Sequence, residues 1–257
     1  MSDNHDEITN IDPWQQLKTY TRARIAIGRV GSSLPTKEVL DFGMSHAMAR
    51  DAVHLPLDIA ALQADIHQLG LTTQHLASLA HDRASYLLRP DWGRRLNEQS
   101  LNDLKNIKAQ PTDLLIVVAD GLSSLAVSRH AVPMIAEIVK LLPDNIQLGP
   151  IIIASQARVA IGDEIGEALN ARMVIMLIGE RPGLSSPDSL GIYLTYQPKL
   201  GMSDADRNCI SNVRPEGLQY PAAAKKLMWL AAEALRLQVT GVALKDESDV
   251  QLIGAAI

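Results

Sequence analysis

The chain has 257 residues, 47% of them hydrophobic, which is enough for one large domain or two modest ones and for a substantial core. Only 4% are aromatic, with a single Phe, and 24 basic against 29 acidic residues leave a net charge of −5, so a base-stacking platform and non-specific nucleic-acid binding are both disfavoured. One cysteine, Cys209, excludes an internal disulfide and an all-cysteine metal site within the chain, and no apolar stretch approaches the roughly 20 residues that a membrane helix needs.

Residues 1–20 read as a polar lead-in arm without the basic-then-apolar order of a secretory signal, so a reducing, cytoplasmic setting is expected. Residues 21–110 read as a helical N-terminal domain. It begins with a basic segment, Arg22 to Gly31, whose three arginines suit either a phosphate, a partner's carboxylates or plain solvation. From Pro35 the spacing is helical, with Leu40, Met44, Ala47 and Met48 on one face. A second helix carries Ile59, Leu62, Ile66 and Leu69 inward and ends at Gly70. Asp91 is placed to cap a third, with Leu96, Leu104 and Ile107 on its inner face, and Arg89, Arg94 and Arg95 surround that start.

The period changes near residue 110, where Gln110-Pro111-Thr112-Asp113 supplies a turn. Residues 111–257 alternate short apolar runs with helical segments. Leu114 to Val118, Pro150 to Ala154 and Val174 to Ile178 read as strands buried on both faces, and the more alternating Ile192 to Tyr196 reads as an edge strand. Ile135, Ile138, Val139 and Leu142 form a helical face behind Pro133; Asp163 to Leu169 and Pro221 to Gln238 give two more helices. The expected fold is therefore α/β, a doubly wound, mostly parallel, Rossmann-like sheet preceded by the small helical domain.

Three strand ends lead directly into polar groups: Asp120-Gly121-Leu122-Ser123-Ser124, Ser155-Gln156-Ala157-Arg158 and Gly179-Glu180-Arg181-Pro182-Gly183. Open α/β sheets bind ligands at this rim. The common signatures are missing: no phosphate loop, no Gly-x-Gly-x-x-Gly turn, no Gly-x-Ser-x-Gly elbow and no His-Glu-x-x-His helix. The seven histidines are scattered without metal-ligand spacing, and His130 reads as structural or surface. Glu180 at a strand end suits hydrogen bonds from ligand amides or hydroxyls, and equally an internal ion pair to Arg181 or Arg158. Cys209 taken alone reads as a small buried filler.

Together, and in this order and spacing, Asp120-Gly121-Leu122-Ser123, Arg158-Val159 followed by Gly162-Asp163-Glu164-Ile165-Gly166, Gly179-Glu180-Arg181-Pro182-Gly183-Leu184 and Ala205-Asp206-Arg207-Asn208-Cys209-Ile210-Ser211-Asn212 resemble the small (light) subunit of ethanolamine ammonia-lyase. Arg89-Pro90-Asp91, Gly93-Arg94-Arg95-Leu96 and the arginine-rich arm extend the resemblance over roughly residues 20–240. It implies an adenosylcobalamin-dependent lyase that converts ethanolamine to acetaldehyde and ammonia. In that family a large subunit holds the substrate, and the small subunit covers the cofactor from the other side. Carried over by motif, the cofactor contacts are Val159, Glu180 and Cys209, with no catalytic residue and no metal ligand on this chain.

The resemblance also implies a bacterial cytoplasmic hetero-oligomer, with a bacterial microcompartment as the other location. The short lead-in departs from relatives with a long extension before the arginine-rich arm, and speaks against that packaging. The tail from Ala243 to Ile257 has no counterpart in the motifs. Two other readings compete: an independent small-molecule enzyme using Asp120, Glu180 or Cys209, and a purely structural partner subunit. The first lacks the usual acid–base–nucleophile set.

Overall fold

The computed structural model describes residues 12–106 and 112–249. Ile107 and the Gln110-Pro111 turn lie outside these residues, as do the first eleven positions and the tail beyond 249. In chain order the helices and strands are α1 (Thr36–His54), α2 (Ile59–Gln68), β1 (Thr73–Ala77), α3 (Arg83–Leu88), α4 (Glu98–Asn106), β2 (Thr112–Ala119), α5 (Ser124–Leu141), β3 (Ile151–Ser155), α6 (Ile161–Ala168), β4 (Ala171–Gly179), β5 (Leu190–Tyr196), β6 (Asn208–Val213) and α7 (Tyr220–Leu237).

The chain is α/β, with one six-stranded sheet in the order β1-β3-β2-β4-β5-β6. β1, β3, β2 and β4 are mutually parallel, and β5 and β6 add antiparallel pairs, so the sheet is mixed. The apolar runs of β2 and β4 occupy its centre because both faces are covered. Alternate side chains divide between two cores. Leu114, Ile116, Val118, Ile175 and Leu177 pack with α2, α5 and α7, whereas Leu115, Val117, Val174 and Met176 pack with α4 and α6.

Three sequence expectations change. β1 falls inside the segment read as helical; of its Thr-Gln-His-Leu-Ala only Leu76 is buried, so no apolar run announces it. Ile192 to Tyr196 belongs to β5, which is interior because β6 pairs beyond it; β1 and β6 are the edges. The helix expected to follow Pro133 starts at Ser124, and Pro133 lies within it. Burial of Val127, Ala131 and Met134 on its sheet-facing side outweighs the hydrogen bond that proline cannot make.

Helix α1 forms where expected, but its apolar stripe faces outward. Leu40 is 67%, Met44 65% and Met48 52% exposed, and Ala52 is the buried residue of the helix. α2 does bury Leu62 and Ile66. Asp91 makes no capping bond; instead Asn97 accepts from the Ser100 amide at 2.8 Å and caps α4, with Leu96 and Leu104 buried on either side of that start. No described helix is long and apolar enough to cross a membrane.

Candidate functional site

The carboxyl ends of the parallel strands meet around Asp120. It is only 2% exposed and accepts from the backbone amides of Gln156 at 2.8 Å and Ala157 at 3.0 Å, with Arg83 Nη1 at 3.6 Å. Burial pushes its carboxyl above the usual range, while those amides and Arg83 pull it back. Both oxygens are thereby engaged in fastening the loop after β3 to the end of β2. Asp120 is an internal clamp, not a group offered to a ligand. Gly121 follows with φ +56°, and a Cβ there would stand 2.2 Å from the Gly179 carbonyl oxygen. The turn must be glycine for the ends of β2 and β4 to close up. Ser123 then caps α5 by accepting from the Ala126 amide at 3.2 Å.

This closure leaves a cleft of roughly 160 Å³. Its floor is Gly121, Leu122, Ile178 and Gly179; Arg158 and Val159 form one wall, Glu180 and Arg181 another, and Tyr86 and Tyr193 complete it. Glu180 accepts short hydrogen bonds from the hydroxyls of Ser189 and Ser211 and a longer one from the Asn212 amide at 3.3 Å. Its own amide donates to the Ser189 carbonyl at 2.9 Å. Neither Arg181 nor Arg158 pairs with it, so the internal ion pair is not formed. A Cβ on Gly191 would come within 3.1 Å of both Glu180 Cγ and Oε1. The missing side chain is what lets the carboxylate lie across the end of β5.

Cys209 is exposed rather than buried, contrary to the filler reading. It stands opposite Tyr193 across the β5–β6 ladder. Although the residue is exposed overall, loss of solvent around the sulfur pushes the Cys209 thiol up and Glu180's charge adds to this, while Tyr193 pulls the other way. Burial likewise raises Tyr193, further helped by Cys209 and Glu180. Strand alternation puts Cys209 and Ser211 on one side, with buried Ile210 between them on the other. Val159 and Glu180 thus share one cleft, and Cys209 is not among its lining residues but lies across the ladder from one of them, Tyr193.

The surrounding sequence motifs act as anchors. Asp163, at the start of α6, makes a short buried ion pair with Arg207, which also holds Asp204 at 3.0 Å and the Met202 carbonyl at 3.2 Å. Burial pushes the Asp163 carboxyl up to about 6, against the pull of Arg207. Its neighbour Glu164 accepts from the Leu96 amide at 2.7 Å and from Arg95 at 3.0 Å. Asn208 donates to the Leu244 carbonyl at 2.8 Å and accepts from the Gly241 amide at 2.8 Å. Three distant segments are pinned around one helix start and one edge strand.

A second cleft of roughly 360 Å³ shares Arg158 and Val159 with the first and continues past Pro90, Arg94, Ala160 and the Met202–Asp204 turn. Elsewhere, Arg24 bonds the Asp41 carbonyl at 3.1 Å and Ser45 at 2.6 Å and lies over Phe42, which fastens the basic arm to α1. Arg89 forms a two-pronged surface pair with Asp91. His130 is buried, bonded to the Tyr220 hydroxyl at 2.8 Å.

Sequence reasoning missed Tyr86, Ser189, Gly191, Tyr193 and Ser211. The alternation Cys209-Ile210-Ser211 would have put Cys209 and Ser211 on one face had Asn208–Val213 been recognised as a strand. Ser189 and Gly191 carry no local signal, because their role arises only from the antiparallel pairing of β4 and β5.

Residues 11–245 match the family model described as ethanolamine ammonia-lyase light chain (EutC). The chain is 55% identical over 246 residues to a protein of Pseudomonas fluorescens (strain Pf0-1), covering 94% of this chain and 90% of that one. It is 54% identical over 260 residues to a protein of Azotobacter vinelandii, covering 100% and 96%, and 54% identical over 262 residues to one of Ralstonia nicotianae, covering 99% and 97%. Each of these relatives is named ethanolamine ammonia-lyase small subunit.

Proposed function

The chain belongs to the ethanolamine ammonia-lyase light chain family, and we propose that its strand-end cleft receives one side of adenosylcobalamin in an enzyme completed by the large subunit. The observation that carries this reading is Glu180, a carboxylate without a cationic partner among the described residues, fixed by two serine hydroxyls and an amide in the same cleft as Val159.

The residues present suit such a group. A corrin ring is rimmed with amide side chains that both donate and accept hydrogen bonds. Glu180 offers a charged acceptor, Arg158 and Arg181 offer donors, and Val159 and Leu122 give apolar contact. At roughly 160 Å³ the cleft lies below the range of pockets that engulf a ligand, so it admits a rim substituent and not the ring. A cofactor held this way needs a second protein surface, which the large subunit would supply. When bound, adenosylcobalamin provides a cobalt–carbon bond that breaks homolytically to begin radical chemistry.

This chain's residues bind and orient. Glu180 would accept from the rim amides, Val159 would give apolar contact, and Cys209, across the ladder from Tyr193, would contact the cofactor on the β6 side. Asp163–Arg207 and the Glu164 bonds to Arg95 and Leu96 hold these positions. The substrate site, where ethanolamine becomes acetaldehyde and ammonia, is assigned to the large subunit, because no acid–base–nucleophile set stands at this cleft. The complex is assigned to the bacterial cytoplasm.

Co-expression of this chain with the large subunit should give an enzyme that turns over ethanolamine with adenosylcobalamin, while the purified chain alone should give none. Turnover by the chain alone would overturn the division of labour.

A further inference from the structure

Around the two adjoining clefts, three arginines have no hydrogen-bonded or ion-paired side chain among the described residues. Arg94 and Arg158 line the larger cleft, and Arg158 and Arg181 the smaller. On a chain of net charge −5 most other arginines of this region are neutralised: Arg83 by Asp120, Arg89 by Asp91, Arg95 by Glu164 and Arg207 by Asp163. The acidic groups at the clefts are already engaged, Glu180 by the serines and Asp204 by Arg207.

Arg158 is built into place. Its guanidinium lies 4.3 Å from the centroid of the Tyr86 ring, and its backbone amide donates to the Gly93 carbonyl at 2.7 Å. A Cβ on Gly93 would approach within 2.9 Å of both Arg158 Cγ and Tyr86 Cε2, so the arginine stem occupies space that any other residue at 93 would fill. Tyr86 is itself fully buried and donates to the Ala157 carbonyl at 3.1 Å. The Nε of Arg158 is buried without a hydrogen-bond partner. An unpaired guanidinium held by stacking, with a polar atom left unsatisfied in the process, is an arrangement that folding alone does not favour. A planar fork fixed in a mixed polar and apolar cleft matches the oxygens of a phosphate group.

We infer that Arg158, with Arg94 lining the same cleft, is a phosphate-recognition site. The phosphate group is either the phosphodiester in the nucleotide loop of the bound cofactor or free inorganic phosphate. The cofactor source rests on the proposed function above, and the free-anion source does not.

The test uses the complex of this chain with the large subunit, as wild type, Arg158→Gln, Arg94→Gln and Glu180→Ala. Arg158→Gln keeps a stem against Tyr86 and Gly93, and Arg94→Gln provides a substitution outside that packing. Binding is measured for adenosylcobalamin, for adenosylcobinamide, which lacks the nucleotide loop and its phosphodiester, and for inorganic phosphate by calorimetry. The expected result is that Arg158→Gln weakens adenosylcobalamin by roughly 10- to 150-fold, the range of one charge-assisted hydrogen bond, that Arg94→Gln weakens it less, and that adenosylcobinamide is unaffected by either. Unchanged cobalamin binding together with lost inorganic phosphate binding assigns the site to the free anion. Unchanged binding of all three probes in both arginine variants overturns the inference. If Glu180→Ala also leaves cobalamin binding unchanged, the proposed cofactor face fails separately, and the phosphate titration still decides the arginine site.

Discussion

Glu180 illustrates how one residue acquires a role that its own position in the sequence leaves undecided. The spacing allowed an ion pair or a ligand contact; the β4–β5 pairing brings Ser189 and the β5–β6 pairing brings Ser211 to the carboxylate, and neither Arg158 nor Arg181 pairs with it. Asp120 goes the opposite way: it was open to a ligand on sequence grounds and is fully engaged by two backbone amides. His130 gives a pH prediction. Burial lowers its pKa below 6.5, with Asp188 opposing, so the folded chain binds this proton less readily than the unfolded one. Its contribution is present above the unfolded value and is lost as pH falls through the folded one. Asp163 and Asp120, whose carboxyls are raised, act in the opposite sense over this range, so the effect of His130 is read as a difference between wild type and variant. Thermal melts between pH 8 and 5 should show His130→Gln losing less stability toward low pH than the wild type, the gap opening below about pH 6.5. An identical slope in the variant would show that His130 does not drive it.

At the scale of elements, the buried Asp163–Arg207 pair joins the start of α6 to the start of β6. Arg207→Met leaves a buried carboxylate unpaired and should destabilise the chain by roughly 3–5 kcal/mol in urea unfolding. A loss under ~1 kcal/mol would mean that the pair behaves like a surface one. Helix α7 buries Leu227 completely, whereas the stripe of α1 faces outward. Leu227→Ala should cost roughly 2–5 kcal/mol and Met44→Ala no more than about 0.5 kcal/mol in the isolated chain. Comparable losses would indicate that α1 is covered within this chain.

The same contrast explains which elements could be read in advance. Interior strands β2, β3 and β4 are apolar on both faces, so their runs stand out. The edges β1 and β6, Thr-Gln-His-Leu-Ala and Asn-Cys-Ile-Ser-Asn-Val, each have one strand neighbour and few buried residues, and carry no such run. The stripe of α1 has the right period for a helix, but periodicity reports shape and does not say whether this chain supplies the covering surface.

For the whole molecule, a mixed sheet brings Val159, from the loop after β3, and Glu180, from the end of β4, into one strand-end cleft, while Cys209 lies early in β6, opposite Tyr193 and level with the middle of β4. The family motifs single out these three positions as candidates, while the Gly191 gap and the serine bonds emerge only from tertiary pairing. The rim is shallow and lacks a catalytic set, which suits a subunit that covers a cofactor held chiefly by another chain.

The most direct test of this account is an adenosylcobalamin titration of the assembled two-subunit enzyme, wild type against Glu180→Ala, with ethanolamine affinity measured in parallel. Loss of one charge-assisted hydrogen bond, roughly 1.5–3 kcal/mol, predicts cofactor binding weaker by about 10- to 150-fold with ethanolamine affinity nearly unchanged. Superimposable cofactor titrations from an intact complex would contradict the account and return Glu180 to a purely structural role.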